Sequence, residues 1–174
     1  TITDQASTTA DITQRALVLA TLTASDKIYD GNNSATTSSS ISGYVGLETI
    51  NHSLTATFDN KNVGSSKAVT VNSVSLSDGT NGGLAANYSL STGQTTTANI
   101  TPKTLTATSS ASNKVYDGLT TATTTLTFSG LVGTETLGQT VGSTFSDKNV
   151  GAGKTVTVNS INLADGSNGG LALN

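Results

Sequence analysis

Apolar residues along this chain come in short alternating runs rather than every third or fourth position. Thr124, Leu126 and Phe128 stand two apart between polar residues, the spacing that sends successive side chains to opposite faces of a strand. Runs rich in Thr, Val, Ile, Tyr and Phe are separated by Gly, Asn and Asp, which suit turns. This pattern predicts strands over 16–24, around 27–29, up to Ile41, over 53–58, over 67–76, and over 87–90 with a continuation to 100. A second set falls at 104–110, 114–116, 123–129, 141–145 and 154–163. The fifth strand of each set breaks parity. Val69 and Val71 are two apart, but the next apolar pair is Val74 and Leu76, and Val156, Val158, Ile161 and Leu163 do the same. One extra residue at Asn72-Ser73 and at Asn159-Ser160 restores a single inward face, which describes a β-bulge. No run of ten or more residues has a helical period, so helix is limited to a turn near 59–67.

The two sets are copies. Residues 27–87 align with 114–174 at a constant offset of 87, with 34 of 61 positions identical. Upstream, 10–17 matches 98–105 at an offset of 88, so the first copy carries one inserted residue between Leu17 and Lys27, in a loop or bulge. The domain reading is 1–9 as the tail strand of a preceding repeat, 10–97 as a complete repeat, and 98–174 as a second repeat lacking its last strand. A period this long suits small autonomous domains rather than solenoid coils. The expected fold is all-β, two tandem small β-sandwich (Ig-like) repeats in line. The alternative is a β-grasp-like α+β repeat with a short helix. The expected core of the first copy is Leu17, Tyr29, Ile41, Val45, Phe58, Val69, Val71, Val74, Leu76, Leu84, Tyr88 and Leu90.

Composition narrows the function classes. Of 174 residues, 34 are Thr, 23 Ser and 15 Asn, and only 11% are charged. With no Cys, disulfides, thiol catalysis and Cys-based zinc sites are excluded. A triad or His metal cluster would have to use His52 alone, and Gln139 replaces it in the second copy. That predicts a solvent-facing turn histidine and no enzyme. The net charge of −3 argues against a nucleic-acid partner. No apolar run approaches the ~20 residues of a membrane helix, so no membrane insertion is expected.

Four motifs repeat. In KxYDG (Lys27, Tyr29, Asp30, Gly31; Lys114, Tyr116, Asp117, Gly118), Asp-Gly supplies a turn with positive φ and Tyr anchors it in the core. Exposed Tyr29 and Tyr116 could instead stack on sugars. The loops FDNKNVG and FSDKNVG, with Asp59, Asn62, Asp147 and Asn149, are turn-forming and the candidate ligand loops. SDGTNGG and ADGSNGG form a further polar loop. Calcium at Asp78 and Asp165 is the alternative to a plain turn there, and no cofactor is otherwise expected. Glu48 and Glu135, the only glutamates, occupy matching positions. Surface salt bridges are the default for them, and catalysis of an intramolecular Lys–Asn isopeptide bond the alternative.

Lys-x-Tyr-Asp-Gly, Ser-Gly-x-Val-Gly-x-Glu, Phe-x-x-Lys-Asn-Val-Gly-x-x-Lys, an Asn-Tyr-x-Leu strand and Ile-Thr-Pro-Lys follow one another in this order. The string resembles the YDG-type repeat of large bacterial exoproteins, among them filamentous-haemagglutinin-like adhesins and biofilm proteins. The resemblance covers nearly the whole chain twice, although Gln14-Arg15 replaces Pro-Lys at the first junction. It implies a secreted, extracellular stalk on the bacterial cell surface, serving adhesion or biofilm formation, and supplies no catalytic residues. Neighbouring repeats are the implied partners. Two other readings are a module binding carbohydrate, such as host or biofilm glycans, or host glycoprotein on the loops around Asp30, Asp59 and Asp78, and ice or mineral adsorption by Thr arrays such as 121–127. The match of residues 1–13 to the strand missing from the second repeat further predicts head-to-tail self-association by strand donation.

Overall fold

The computed structural model describes residues 7–174, so the first six positions of the expected tail strand at 1–9 lie outside the described residues. The first copy forms β1 (Arg15–Ala16), β2 (Val18–Ala24), β3 (Lys27–Ile28), β4 (Ser34–Ala35), β5 (Thr37–Ser42), β6 (Ile50–Phe58), β7 (Gly64–Asp78), β8 (Tyr88–Ser89) and β9 (Thr95–Thr101). The second forms β10 (Thr106–Ala111), β11 (Thr121–Ala122), β12 (Thr124–Ser129), β13 (Leu137–Phe145) and β14 (Val156–Asp165). The fold is all-β. Among the described residues the one helical element is a 3-10 turn at Ala85–Asn87, not at 59–67, where chain leaves β6 and enters β7. The α+β alternative falls with it.

The chain divides into two compact units. One contains residues 7–26, 33–60 and 66–99, the other 27–32, 61–65 and 100–174. The second unit therefore includes the KxYDG turn and the Asn-Val-Gly loop of the first sequence copy.

In the first unit β2 pairs antiparallel with β5, and β1 runs parallel to β8. The larger sheet of this unit has the order β9-β7-β6-β4. Leu17, Ile41, Ile50 and Tyr88 form a buried cluster, with Leu19, Tyr44, Leu76 and Leu90 packed on it. These residues come from β2, β5, β6, β7 and β8 and the segments beside them, so the cluster is the filling between two layers. Phe58, Val69 and Val71 are fully buried as well. Val45 and Leu84, expected in the core, are half exposed. Both sit in turns, where the backbone and not strand alternation sets side-chain direction. Ile50, Ala56, Ala98 and Ile100 take core positions instead.

Both parity breaks are bulges. Thr55 faces Ser73 and Ala56 faces Val71, which leaves Asn72 as the extra residue, and Asn72 Nδ2 donates to Thr57 Oγ1 at 2.9 Å. In the second unit Gly142 faces Ser160 and Ser143 faces Val158, leaving Asn159, whose Nδ2 donates to Thr144 Oγ1. The inserted residue of the first copy is also a bulge. The β2–β5 register skips Ala20, whereas β10 pairs with β12 without a shift.

The second unit has the β10–β12 pair and a three-stranded sheet ordered β11-β13-β14. Leu126 is buried in it, and Thr124, Leu126 and Phe128 face inward as their alternation predicts. Residues 114–116 do not form the expected strand. Their counterpart β3 exists by pairing with β9, and a two-residue strand has no existence without such a partner.

Candidate functional site

Each KxYDG turn is held by its own lysine. Lys27 Nζ lies 2.7 Å from Asp30 Oδ1 and donates to the Asn32 carbonyl at 2.9 Å, while Asn32 N–H donates to Asp30 Oδ1. Lys114 repeats this with Asp117 (2.8 Å) and the Leu119 carbonyl (2.9 Å). Gly31 and Gly118 have φ of 80° and 78°, as the turn predicts. Burial pushes the Asp30 carboxyl up, but the bonds from Lys27 and Asn32 outweigh it and hold it below its ordinary range. The Lys114 ammonium holds Asp117 low in the same way.

The two tyrosines part company. Tyr29 is 3% exposed, and its hydroxyl donates to Glu135 Oε1 at 2.5 Å. Lys61 Nζ meets the same oxygen at 3.1 Å and stands 5.8 Å from the Tyr29 ring centroid. A Cβ on Gly31 would come within 2.7 Å of Val132. This cluster lies wholly within the second unit. Burial, then the bond to Glu135, raises the Tyr29 hydroxyl above its ordinary value, and Glu135 raises Lys61. Tyr116, expected to anchor its turn in the core, is instead 59% exposed. Tyr29 shares its surroundings with Leu105, Val132 and Glu135, and Tyr116 has no equivalent cover among the described residues.

Both glutamates accept from tyrosine hydroxyls, and Glu135 keeps an ion pair with Lys61 as well. Glu48 Oε2 accepts from Tyr88 at 2.5 Å, and Tyr88 Oη accepts from the Val45 N–H at 3.0 Å. The bond to Glu48 raises the Tyr88 hydroxyl. The side chain of Glu135 is 9% exposed. The matching position was visible in sequence; that its partner would be Tyr29 was not, since the two lie 106 residues apart.

The candidate ligand loops make internal contacts. Lys67, nearly buried, meets Asp59 Oδ1 and Asn60 Oδ1, both at 2.8 Å. In the second copy the acid moves one position along, to Asp147, and still meets the equivalent lysine, Lys154. These lysines hold both aspartates below the ordinary carboxylate range. Lys67 thus sits by an asparagine, as an isopeptide bond would need, but its companion acid is held ionised rather than protonated. Asn149 N–H donates to Asp147 Oδ1, an Asx turn, and Asn62 Oδ1 accepts from Asn174 Nδ2 at 3.4 Å. Asp78 Oδ1 accepts from Ala85 N–H and Asp165 Oδ1 from Ala172 N–H. No three His, Cys, Asp or Glu gather into a metal-holding group among the described residues. The glycines of this loop are steric necessities. A Cβ on Gly79 or Gly83 would strike the Thr49 carbonyl, and one on Gly166 or Gly170 the Thr136 carbonyl.

His52 lies mid-strand in β6, not in a turn, and its Nε2 meets Ser39 Oγ at 2.8 Å. Gln139 does the same work with both its amide atoms on the Leu126 backbone. Each ties its inner strand to the facing layer.

Comparison with known proteins bears on the whole chain. The family model described as "YDG domain" matches residues 13–98 and again 101–174. No curated protein and no solved structure matches the chain. The matched residues take in both copies of every motif described above, and the chain belongs to the YDG domain family, of which it carries two copies in tandem.

Proposed function

We propose that the two YDG domains are structural spacer repeats of a secreted bacterial surface adhesin, extending a binding region away from the cell. The observation that supports this best is the use to which the repeated residues are put. Lys27–Asp30 and Lys114–Asp117, Asp59–Lys67 and Asp147–Lys154, and the Asp78 and Asp165 caps make the same internal contacts in each copy. The acid that shifts by one position while keeping its lysine is the clearest instance: what is kept is the contact, not the residue. A surface of Thr and Ser with little charge also suits a long, exposed β-array.

The test is binding. On a glycan array that includes host and biofilm polysaccharides, a spacer gives no saturable signal. A specific signal that Asp59→Ala or Asp147→Ala removes would replace this reading by the carbohydrate-binding one.

A further inference from the structure

Asn81 and Asn168 are the asparagines of this chain that a glycine follows, and they stand at matching positions of the two copies. Each Asn-Gly pair is the centre of a tight turn. The Gly83 N–H donates to the Thr80 carbonyl and the Gly170 N–H to the Ser167 carbonyl, both at 3.1 Å. Asn81 and Asn168 have φ of 56°, and Gly82 and Gly169 follow at 87° and 89°. Positive φ at both central residues marks a type I′ turn, for which Asn-Gly is a preferred pair. All four residues are exposed.

The two asparagine amides are tethers. Asn81 Nδ2 donates to the Leu47 carbonyl at 2.8 Å, and Asn168 Nδ2 to the Thr134 carbonyl at 3.0 Å. Leu47 and Thr134 each precede a glutamate, Glu48 or Glu135, that accepts a tyrosine hydroxyl. Each tether therefore steadies the turn from which a glutamate projects. The base of each loop is fixed separately, since Thr49 Oγ1 accepts from the Thr80 N–H and Thr136 Oγ1 from the Ser167 N–H, both at 2.8 Å. The tether needs a donor. An ionised carboxylate in place of the amide only accepts, and would set its charge against the carbonyl oxygen.

The same pairs have the chemistry to make that exchange. An asparagine side chain can be attacked by the backbone nitrogen of the residue after it, and glycine has no Cβ to crowd the approach. The Gly82 and Gly169 N–H groups take no part in the hydrogen bonds that close the turns. The nitrogen bonds to Cγ, the Cγ–Nδ2 bond breaks, and ammonia leaves with the proton of the attacking N–H. Water then opens the cyclic imide at one of its two carbonyls. One opening gives aspartate, the other isoaspartate, with the backbone routed through the side chain. Water is the only co-reactant. The tether and the turn must both let go before the ring closes, so the reaction draws on local opening of an exposed loop rather than on global unfolding.

We propose that Asn81 and Asn168 are sites of spontaneous deamidation, and that the acid formed releases the turns carrying Glu48 and Glu135. This goes beyond the spacer reading and does not depend on it. Each conversion adds one negative charge to a chain of net charge −3 and removes one donor. Aspartate leaves a carboxylate against the Leu47 or Thr134 carbonyl, and isoaspartate also lengthens the backbone inside a tight turn. The bulge asparagines are the internal comparison. Asn72 and Asn159 are each followed by serine, whose Cβ crowds the attack, and each donates its amide to a threonine within a sheet.

Incubation of the full chain at mildly alkaline pH, followed by peptide mapping with mass spectrometry, tests the chemistry. Aspartate and isoaspartate accumulate at Asn81 and Asn168 ahead of Asn72 and Asn159. Gly82→Ala suppresses the loss at Asn81 and leaves that at Asn168 unchanged. Hydrogen exchange tests the consequence. Asn81→Asp speeds amide exchange over residues 43–48 by about tenfold, equivalent to about 1.4 kcal/mol, the scale of one lost hydrogen bond. Asn168→Asp does the same over 130–135. Intact amides at Asn81 and Asn168, or equal loss at Asn72 and Asn159, or loss at Asn81 undiminished by Gly82→Ala, or unchanged exchange in the turns of the two Asp variants, overturns the proposal.

Discussion

At the scale of the residue, the two copies are internal controls for one another. Phe58 is 1% exposed and Phe145 partly buried. Truncating a buried aromatic typically costs about 3–5 kcal/mol. Phe58→Ala should therefore lose stability in that range and Phe145→Ala clearly less, as chemical unfolding of the two variants would show. Gly31 and Gly118 share a positive φ, but only at Gly31 would a Cβ meet a neighbour, Val132. Gly118→Ala should cost about 1–2 kcal/mol for backbone strain alone, and Gly31→Ala more, measured the same way. Equal losses would contradict the packing at Val132. The aspartates predict the acid limb of stability. Lys67, Lys114 and Lys154 hold Asp59, Asp117 and Asp147 low, and the Asn99 backbone and side chain do so for Asp26. A folded carboxyl lowered below the unfolded value of about 3.9 contributes fully above that value, and the contribution is lost as pH falls through the folded one. Tyr29 and Tyr88 are raised, so theirs is complete below about pH 10 and lost as pH rises through the folded values. The melting temperature should be flat at intermediate pH and fall at both ends, on thermal unfolding across a pH series.

At the scale of the element, the bulges were legible because parity is a strict rule: Val69, Val71, Val74 and Leu76 cannot share a face without one extra residue, and Asn72 is that residue. The insertion in the first copy was legible as a count, and only the register identifies it as Ala20. The second copy pairs β10 with β12 without such a residue, so deleting Ala20 should cost under about 1 kcal/mol, within the range of harmless surface changes. Deleting Asn72 turns the remainder of β7 over, and should cost more than about 3 kcal/mol, the upper end for ordinary single changes. Comparing the melting temperatures of the two deletions checks this. Other elements were not legible. Residues 114–116 have the composition of β3 but no strand, because a strand is a property of a pair. Ile100 and Ala98 escaped the expected core because β9 is buried by strands far from it in sequence. Of the candidate site, the Lys–Asp partners within each turn could be read from spacing, whereas Glu135 and Tyr29 could not.

At the scale of the whole molecule, the sequence carries its architecture twice, and the family match follows the two copies. The compact units do not end where the copies end, since residues 27–32 and 61–65 belong with 100–174. Asp78 and Asp165 are each used by a backbone N–H, so a chelator should leave the melting temperature unchanged; a drop of several degrees would show a bound cation stabilising the fold. The spacer reading makes the identity of these domains exchangeable so long as reach is kept. The most direct measurement of the proposed spacer role replaces residues 7–174 by an unrelated pair of β-domains of equal span, and compares cell adhesion at equal surface display. The account predicts adhesion unchanged by the exchange and reduced by simple deletion. Loss of adhesion on exchange, with display intact, would contradict it.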